Sequence, residues 1–250
     1  MHIERIPRIA HYIWIGPSPK PQLVEQCIAS FQKWLPDFEL ICWDNERSEE
    51  VFRLHPYARE AYEAGLYAFA SDVIRLHALV KYGGVYLDSD LELFKPLEPY
   101  LEHRFFSGFQ DPQHAITAIM GSEKNGEFVC ALLAEYQSLH LLNEKGEVDF
   151  TTNTYRINQA LLAAGIVLED RDQILPNGIA IYRREIFCPY HPKHGGKPTD
   201  LSVSMHHFNG SWVASRHAQK LMQKRARRTR RMLWVSGLLA SAAVALVLLR

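Results

Sequence analysis

Residues 71 to 90 read Ser71-Asp72-Val73-Ile74-Arg75-Leu76-His77-Ala78-Leu79-Val80-Lys81-Tyr82-Gly83-Gly84-Val85-Tyr86-Leu87-Asp88-Ser89-Asp90. The first part predicts a helix from about Ala68 to Tyr82, stopped by Gly83 and Gly84 as C-cap and turn. Val85, Tyr86 and Leu87 then read as a short buried strand. Asp88 and Asp90 emerge at its end, and their i, i+2 spacing turns both carboxylates to one side. Such a pair suits a hard divalent cation, because Mg²⁺ and Mn²⁺ take carboxylate and phosphate oxygens. Within the helix, i, i+3 spacing puts Asp72 and Arg75 on one face. An exposed pair of this kind is worth only a few tenths of a kcal/mol. Its apolar neighbours Val73, Ile74, Leu76 and Leu79 imply burial, so these charges want a partner beyond each other.

Upstream, an apolar strand from Ile9 to Ile15 leads through a turn with Pro17, Pro19 and Pro21 into a helix from about Gln22 to Trp34. A second strand follows at Phe38 to Trp43. This β-α-β opening predicts an α/β fold with a parallel, Rossmann-like sheet. Trp14 and Tyr12 share a face of the first strand. Packing in the core is the plain role for both, but Trp14 lies at the carboxyl end of the strand, where open parallel sheets bind nucleotides. Val51 to Gly65 reads as helix broken near Pro56. Downstream, Leu91 to Phe94 and Ala115 to Met120 read as strands, Glu127 to Leu142 and Tyr155 to Ala164 as helices, and Val167 to Trp212 as short strands with turns at Gly178, Gly195 and Gly196. His191 and His194, in a Gly- and Pro-rich stretch, read as loop residues.

The 250 residues are 47% apolar and formally neutral, with 28 basic and 28 acidic side chains. The neutrality adds two opposite regions. Residues 1–215 hold all 28 acids and 19 of the bases, a net charge of −9, and the other nine bases follow. An acidic body argues against nucleic acid as a partner. Cys27, Cys42, Cys130 and Cys188 have no C-x-x-C spacing and no secretory leader before them, which reads as free thiols in a reducing compartment.

The chain resembles the sugar transferases of glycosyltransferase family 32, which carry a D-x-D motif and include fungal outer-chain mannosyltransferases and bacterial capsule-synthesis proteins. The resemblance rests on four segments in order. They are Ile6 to Gly16 as the opening strand, Ser71-Asp72 with Arg75 as S-D-x-x-R, Gly83 to Asp90 as G-G-x-Y-x-D-x-D, and His206-His207-Phe208-Asn209-Gly210-Ser211-Trp212 as the closing H-x-x-x-S-W. Residues 110–165 match less clearly.

The resemblance implies a GT-A fold, a single Rossmann-like nucleotide-sugar-binding domain over 1–215, and retention of anomeric configuration. It implies Mn²⁺ or Mg²⁺ as cofactor, with Asp90 contacting the metal and Asp88 serving the ribose and the metal's water shell. A UDP- or GDP-hexose is the implied donor, and a glycan or lipid-linked molecule the acceptor. Asp72 and Arg75 would take the sugar hydroxyls, Tyr86 would join the donor-binding set, and Trp14 would stack on the base. Ser211 and Trp212 would lie against the donor phosphates. A residue of that last segment would reach the metal, and His207 is assigned to it, although strand alternation lets only one of His206 and His207 point inward. Two rivals are a phosphohydrolase with Asp88 as nucleophile and Asp90 as acid, and a non-catalytic nucleotide-sugar-binding module. The hydrolase accounts for the D-x-D but for neither Ser71 to Arg75 nor His206 to Trp212.

Beyond a basic segment at 216–231, residues 232–249 carry no charge. As a helix they would reach roughly 27 Å, close to the ~30 Å hydrocarbon core of a bilayer. The run is apolar all round, which fits a spanning anchor or a buried terminal helix rather than a surface helix. The arginines on its N-terminal side place the catalytic domain in the cytoplasm, on the bacterial inner membrane. The full chain is therefore expected to sediment with membranes and to resist salt extraction, while a chain ending at Arg216 stays soluble. A detergent-free soluble full chain would assign 232–249 to the core instead.

Overall fold

A computed structural model of the chain describes residues 4–142 and 151–209. Strand β1 (Ile9–Ile13) leads into helix α1 (Gln22–Trp34), whose Val24, Cys27 and Phe31 form one buried stripe. Strand β2 (Glu39–Trp43) returns beside β1, in parallel and in register from Ile9 opposite Glu39 to Ile13 opposite Trp43. Helix α2 (Asn45–Leu54) starts at Asp44, whose carboxylate accepts the Arg47 N–H at 2.9 Å, as an N-cap should. His55 ends α2 and Pro56 opens α3 (Pro56–Glu63), so the expected helix break at Pro56 is a true boundary between two helices. Helix α4 (Tyr67–Tyr82) ends at Gly83, and β3 (Gly84–Leu87) follows, buried along its whole length.

The rest of the chain is β4 (Leu91–Leu93), a 3₁₀ turn at Glu98–Tyr100, β5 (Phe105–Asp111), β6 (His114–Ala115), β7 (Ile119–Ser122), α5 (Glu127–Glu135), α6 (Asn153–Ala164), β8 (Gln173–Ile174), β9 (Ile179–Tyr182), α7 (Arg184–Phe187) and β10 (Ser204–His206). The main sheet runs β2-β1-β3-β7-β5-β9-β8, with β6 on β5, while β4 and β10 form a separate antiparallel pair. Apolar side chains from α2 to α6 cover one face of the sheet. Those from α1, β4 and α7 cover the other.

Three sequence expectations change. The sheet is mixed rather than parallel, because β7 runs antiparallel between β3 and β5. The strand expected over Ala115 to Met120 divides into β6 and β7, and the helix expected to reach Leu142 ends at Glu135. Central strand β5 was not anticipated. All four cysteines are free. Among the described residues no helix is long and apolar enough to cross a membrane. The basic segment 216–231 and the expected anchor 232–249 lie outside the described residues.

Two contacts fix the angle at which α4 hands over to β3. His11 on β1 bonds through Nε2 to the Gly83 carbonyl at 2.9 Å, while its Nδ1 accepts the Trp43 indole N–H at 3.3 Å. The ring is thus held as the neutral tautomer, and burial pushes its pKa down to about 4. Gly84 has φ +99°, and a Cβ there would overlap the Ile9 carbonyl oxygen. Gly84→Ala combines a left-handed φ with a clash against immovable backbone. It is expected to cost about 3 kcal/mol or more, read as a lower midpoint in urea unfolding.

Candidate functional site

The site lies where parallel strands of the sheet end. Tyr86 pairs with His11 across β3 and β1, so Trp14 leaves β1 on the same edge at which β3 releases Asp88. The Trp14 indole N–H donates to the Ser18 carbonyl at 2.9 Å, which holds the ring against the proline turn. The Asp88 N–H donates to the Ala118 carbonyl, and the Leu91 N–H closes back on the Asp88 carbonyl at 2.9 Å. This turn separates Asp88 from Asp90 by one residue and keeps both at the sheet edge.

Arg75 reaches this edge from the middle of α4, with only 6% of its side chain exposed. Its guanidinium lies 3.1 Å from Asp72 Oδ1 and 3.5 Å from Asp88 Oδ1. It also donates to the Thr117 carbonyl at 2.8 Å and to the carbonyl and hydroxyl of Ser71. Its plane sits over the Tyr86 ring, 4.5 Å from the centroid, a cation–π geometry. The Tyr86 hydroxyl donates to Asp88 Oδ1 at 2.6 Å. Burial opposes the Arg75 charge, but Tyr86, Asp88 and Asp72 outweigh it and raise its pKa, so it stays protonated. Burial moves Asp72 the other way, up to about 6, despite attraction to Arg75, with Asp88 adding repulsion.

The third approach is from β10. It pairs with β4, with His206 opposite Leu91, which carries His206 to the aspartates. His206 Nε2 lies 3.1 Å from Asp90 Oδ1 and 3.7 Å from Asp88 Oδ2. The Asn209 N–H donates to Asp90 Oδ2 at 3.0 Å. Burial alone would raise Asp90, but the bonds from His206 and Asn209 bring its pKa below the usual carboxylate value. Burial likewise works against the His206 charge, and Asp90 overrides it to raise the imidazole pKa.

Ligand atoms of Asp88, Asp90 and His206 all fall within 4.8 Å of one another. Two carboxylates and an imidazole suit Mn²⁺ better than Mg²⁺, since Mg²⁺ favours an all-oxygen shell. The structure thus brings His206, rather than the expected His207, to the aspartates. Alternation along β10 sends His207 Nε2 to Glu92 Oε2 at 3.0 Å instead, although its backbone N–H donates to the Asp90 carbonyl. Ser211 and Trp212 lie outside the described residues. A contact that sequence reasoning missed is α6, whose Asn153 backbone N–H bonds Asp72. Its signal was the Thr151-Thr152-Asn153 cap before a helix.

Residues 21–106, which contain Asp72, Arg75, Asp88 and Asp90, match the family model described as the glycosyltransferase sugar-binding region containing DXD motif. Over the segment that builds the site, the chain is thus similar to the DXD glycosyltransferases. It is 27% identical over 129 residues to inositol phosphoceramide mannosyltransferase 3 of Schizosaccharomyces pombe, matching 50% of this chain and 35% of that one. It is also 27% identical over 118 residues to inositol phosphoceramide mannosyltransferase 1 of the same organism, over 42% and 34% of the two chains. The chain thus spans about a third of the length of these relatives. Among solved structures, the PaToxG glycosyltransferase aligns with a TM-score of 0.51 at 19% identity, over 65% of this chain and 71% of that one. That likeness concerns the fold, and the mixed α/β sheet fits the GT-A type.

Asp72 has a raised pKa in the folded protein, so the fold favours its neutral form. The penalty is absent well below pH 4, where the carboxyl is protonated in both states, grows as pH rises from about 4, where the unfolded chain ionises first, and is complete above about 6. Asp72→Asn is therefore expected to stabilise the fold at pH 8 by up to about 3 kcal/mol and to have little effect at pH 3.5. Urea unfolding at the two pH values checks this.

Proposed function

We propose that the chain is a metal-dependent, retaining glycosyltransferase that moves a hexose from a nucleotide sugar to a glycan or lipid-linked acceptor. One observation carries this reading: Asp88, Asp90 and His206 converge within 4.8 Å at the sheet edge, directly beside the buried Asp72–Arg75 pair. Asp88, Asp90 and His206 would hold Mn²⁺. When bound, the cation supplies positive charge for the leaving diphosphate.

The chain's own groups do the positioning. Arg75 and Asp72 present a donor and an acceptor to sugar hydroxyls, and Asp72 is held by the α6 backbone on its other side. Tyr86 orients Asp88 through its 2.6 Å bond. Trp14 stacks on the base from the end of β1, and Ser211 and Trp212 meet the donor phosphates. In the transfer itself, the bond from the anomeric carbon to the phosphate oxygen breaks, its electron pair leaving with the nucleoside diphosphate. The acceptor oxygen bonds the same carbon on the same face, and its proton passes to the departing phosphate oxygen.

The donor class is a UDP- or GDP-hexose, and the relatives' names make mannose the first sugar to test. Those names also favour a phosphate-bearing, lipid-linked acceptor. The basic 216–231 segment and the uncharged 232–249 run support a domain partition of 1–215, 216–231 and 232–249. They also support a place on the cytoplasmic side of a membrane, while a bacterial inner membrane and surface polysaccharide synthesis rest on the resemblance to capsule-synthesis proteins. The phosphohydrolase alternative fits less well, because it gives no role to the buried Asp72–Arg75 pair beside the three ligands.

Mn²⁺-dependent release of nucleoside diphosphate from UDP- and GDP-hexoses tests this function. Asp90→Ala and His206→Ala are each expected to lower it about 100-fold or more, while His207→Ala stays close to the wild type. Full activity in excess chelator, or release of inorganic phosphate instead, would sink the reading.

A further inference from the structure

The turn Tyr190-His191-Pro192-Lys193-His194-Gly195-Gly196-Lys197 takes no part in the donor site described above, yet it is built against it. Ring contacts run from its tip to the metal corner. His194 lies 4.8 Å from His191, His191 lies 5.0 Å from Phe208, and Phe208 lies 4.2 Å from His206. Phe208 is held for this contact at φ 50°, a backbone region that a bulky residue rarely adopts.

The turn itself is rigid. His191 and Gly195 exchange both backbone hydrogen bonds, at 3.0 and 2.7 Å. Gly195 and Gly196 have φ +64° and +105°, and a Cβ on Gly196 would overlap the Pro189 carbonyl. The Lys193 N–H donates to His191 Nδ1 at 3.2 Å, so the proton of the neutral ring sits on Nε2, which remains a donor.

Its charge contrasts with the rest of the domain. No acidic residue occurs from Ile186 to Thr199, within a region whose net charge is −9 over residues 1–215. Lys193, His194 and Lys197 are exposed and make no ion pair among the described residues. The nearby carboxylate, Asp111, is already engaged by the Gln113 N–H and by His114 at 2.8 Å. Cationic side chains and N–H donors carried on a fixed backbone turn of an acidic body select an anion.

We propose that this turn is the acceptor subsite, taking the phosphate of a phosphate-bearing acceptor on Lys193, His194 and Lys197, so that an acceptor hydroxyl comes to lie at the Asp90–His206 corner. The proposal rests on the transferase reading and adds to it the place and the chemistry of the acceptor. Its ligand is a phosphomonoester or phosphodiester carried on a polyol. The polyol ring packs on the imidazole and phenyl faces, and the phosphate meets the turn.

Calorimetric titration of the full chain in Mg²⁺ buffer with myo-inositol 1-phosphate, myo-inositol and inorganic phosphate tests it. The wild type is expected to bind the inositol phosphate in preference to the other two. The double variant Lys193→Ala/Lys197→Ala should weaken that binding at least about tenfold, and Lys193→Arg/Lys197→Arg should restore it. All three chains keep the basic 216–231 segment, so the difference between them belongs to the turn. Mn²⁺-dependent donor hydrolysis without acceptor should be unchanged in the double variant. Unchanged affinity in that variant, or equal binding of inorganic phosphate, overturns the subsite. A parallel loss of donor hydrolysis also overturns it, because the lysines would then serve the donor diphosphate. If the wild type binds the probe through these lysines but hydrolyses no nucleotide sugar, the anion site stands and the transferase reading falls.

Discussion

A guanidinium buried at 6% side-chain exposure is the constraint around which the site is assembled. An unpaired charge there would cost several kcal/mol, and Arg75 avoids this by drawing on every element near it. Asp72 and Ser71 come from its own helix, Asp88 from the end of β3, and the Thr117 carbonyl from the segment before β7. Tyr86 offers its ring face to the cation and its hydroxyl to Asp88. Because the fork of N–H groups is planar and fixed, its partners are fixed too. The helix, the strand end and the antiparallel neighbour are locked to one another at the point where the carboxylates are needed. Without Arg75, Asp72 and Asp88 would face each other, and their repulsion already contributes to the raised pKa of Asp72.

Around that hub the acidic groups divide by environment. Asp72 sits where burial favours its neutral form, whereas Asp90 is kept ionised by His206 and the Asn209 N–H. One carboxyl thus loses its proton only as pH approaches about 6, and the other is suited to holding positive charge at lower pH as well. The two side chains are almost equally exposed, at 15% and 14%, so the difference lies in their partners: Asp90 accepts from both His206 and the Asn209 N–H, which together overcome the effect of burial.

Much of this was legible in the sequence, and the reasons are local. The bounds of α1, the stop at Gly83 and the strand before Asp88 follow from caps, periodicity and glycine chemistry within a few residues. Strand β5 was not legible, because Phe105-Phe106-Ser107-Gly108-Phe109 is buried on both faces and so has no alternation to detect. The antiparallel course of β7 was hidden for a related reason: direction in a sheet is settled by partners far along the chain. The same holds for His206. Alternation allowed only one of two adjacent histidines to face inward, but choosing between them needed the register of β10 on β4. The early end of α5 at Glu135 reflects bonds from Tyr136 and Gln137 that tighten to i−3 partners, a closure that composition does not announce.

The pairing of β10 with β4 brings His206 to Asp90 across 116 positions of sequence. Closing a loop of that length depends on nearly everything between its ends having already folded. Asp88 and Asp90 can be in place early, but the three-ligand corner exists only once β10 has docked on β4. An ion gripped by both strands would then act as a clasp on the whole domain, stabilising the finished chain in preference to any shorter intermediate. In this architecture the complete three-ligand corner reports that β10 has docked on β4, and a chain without that pairing would offer an ion the two aspartates alone.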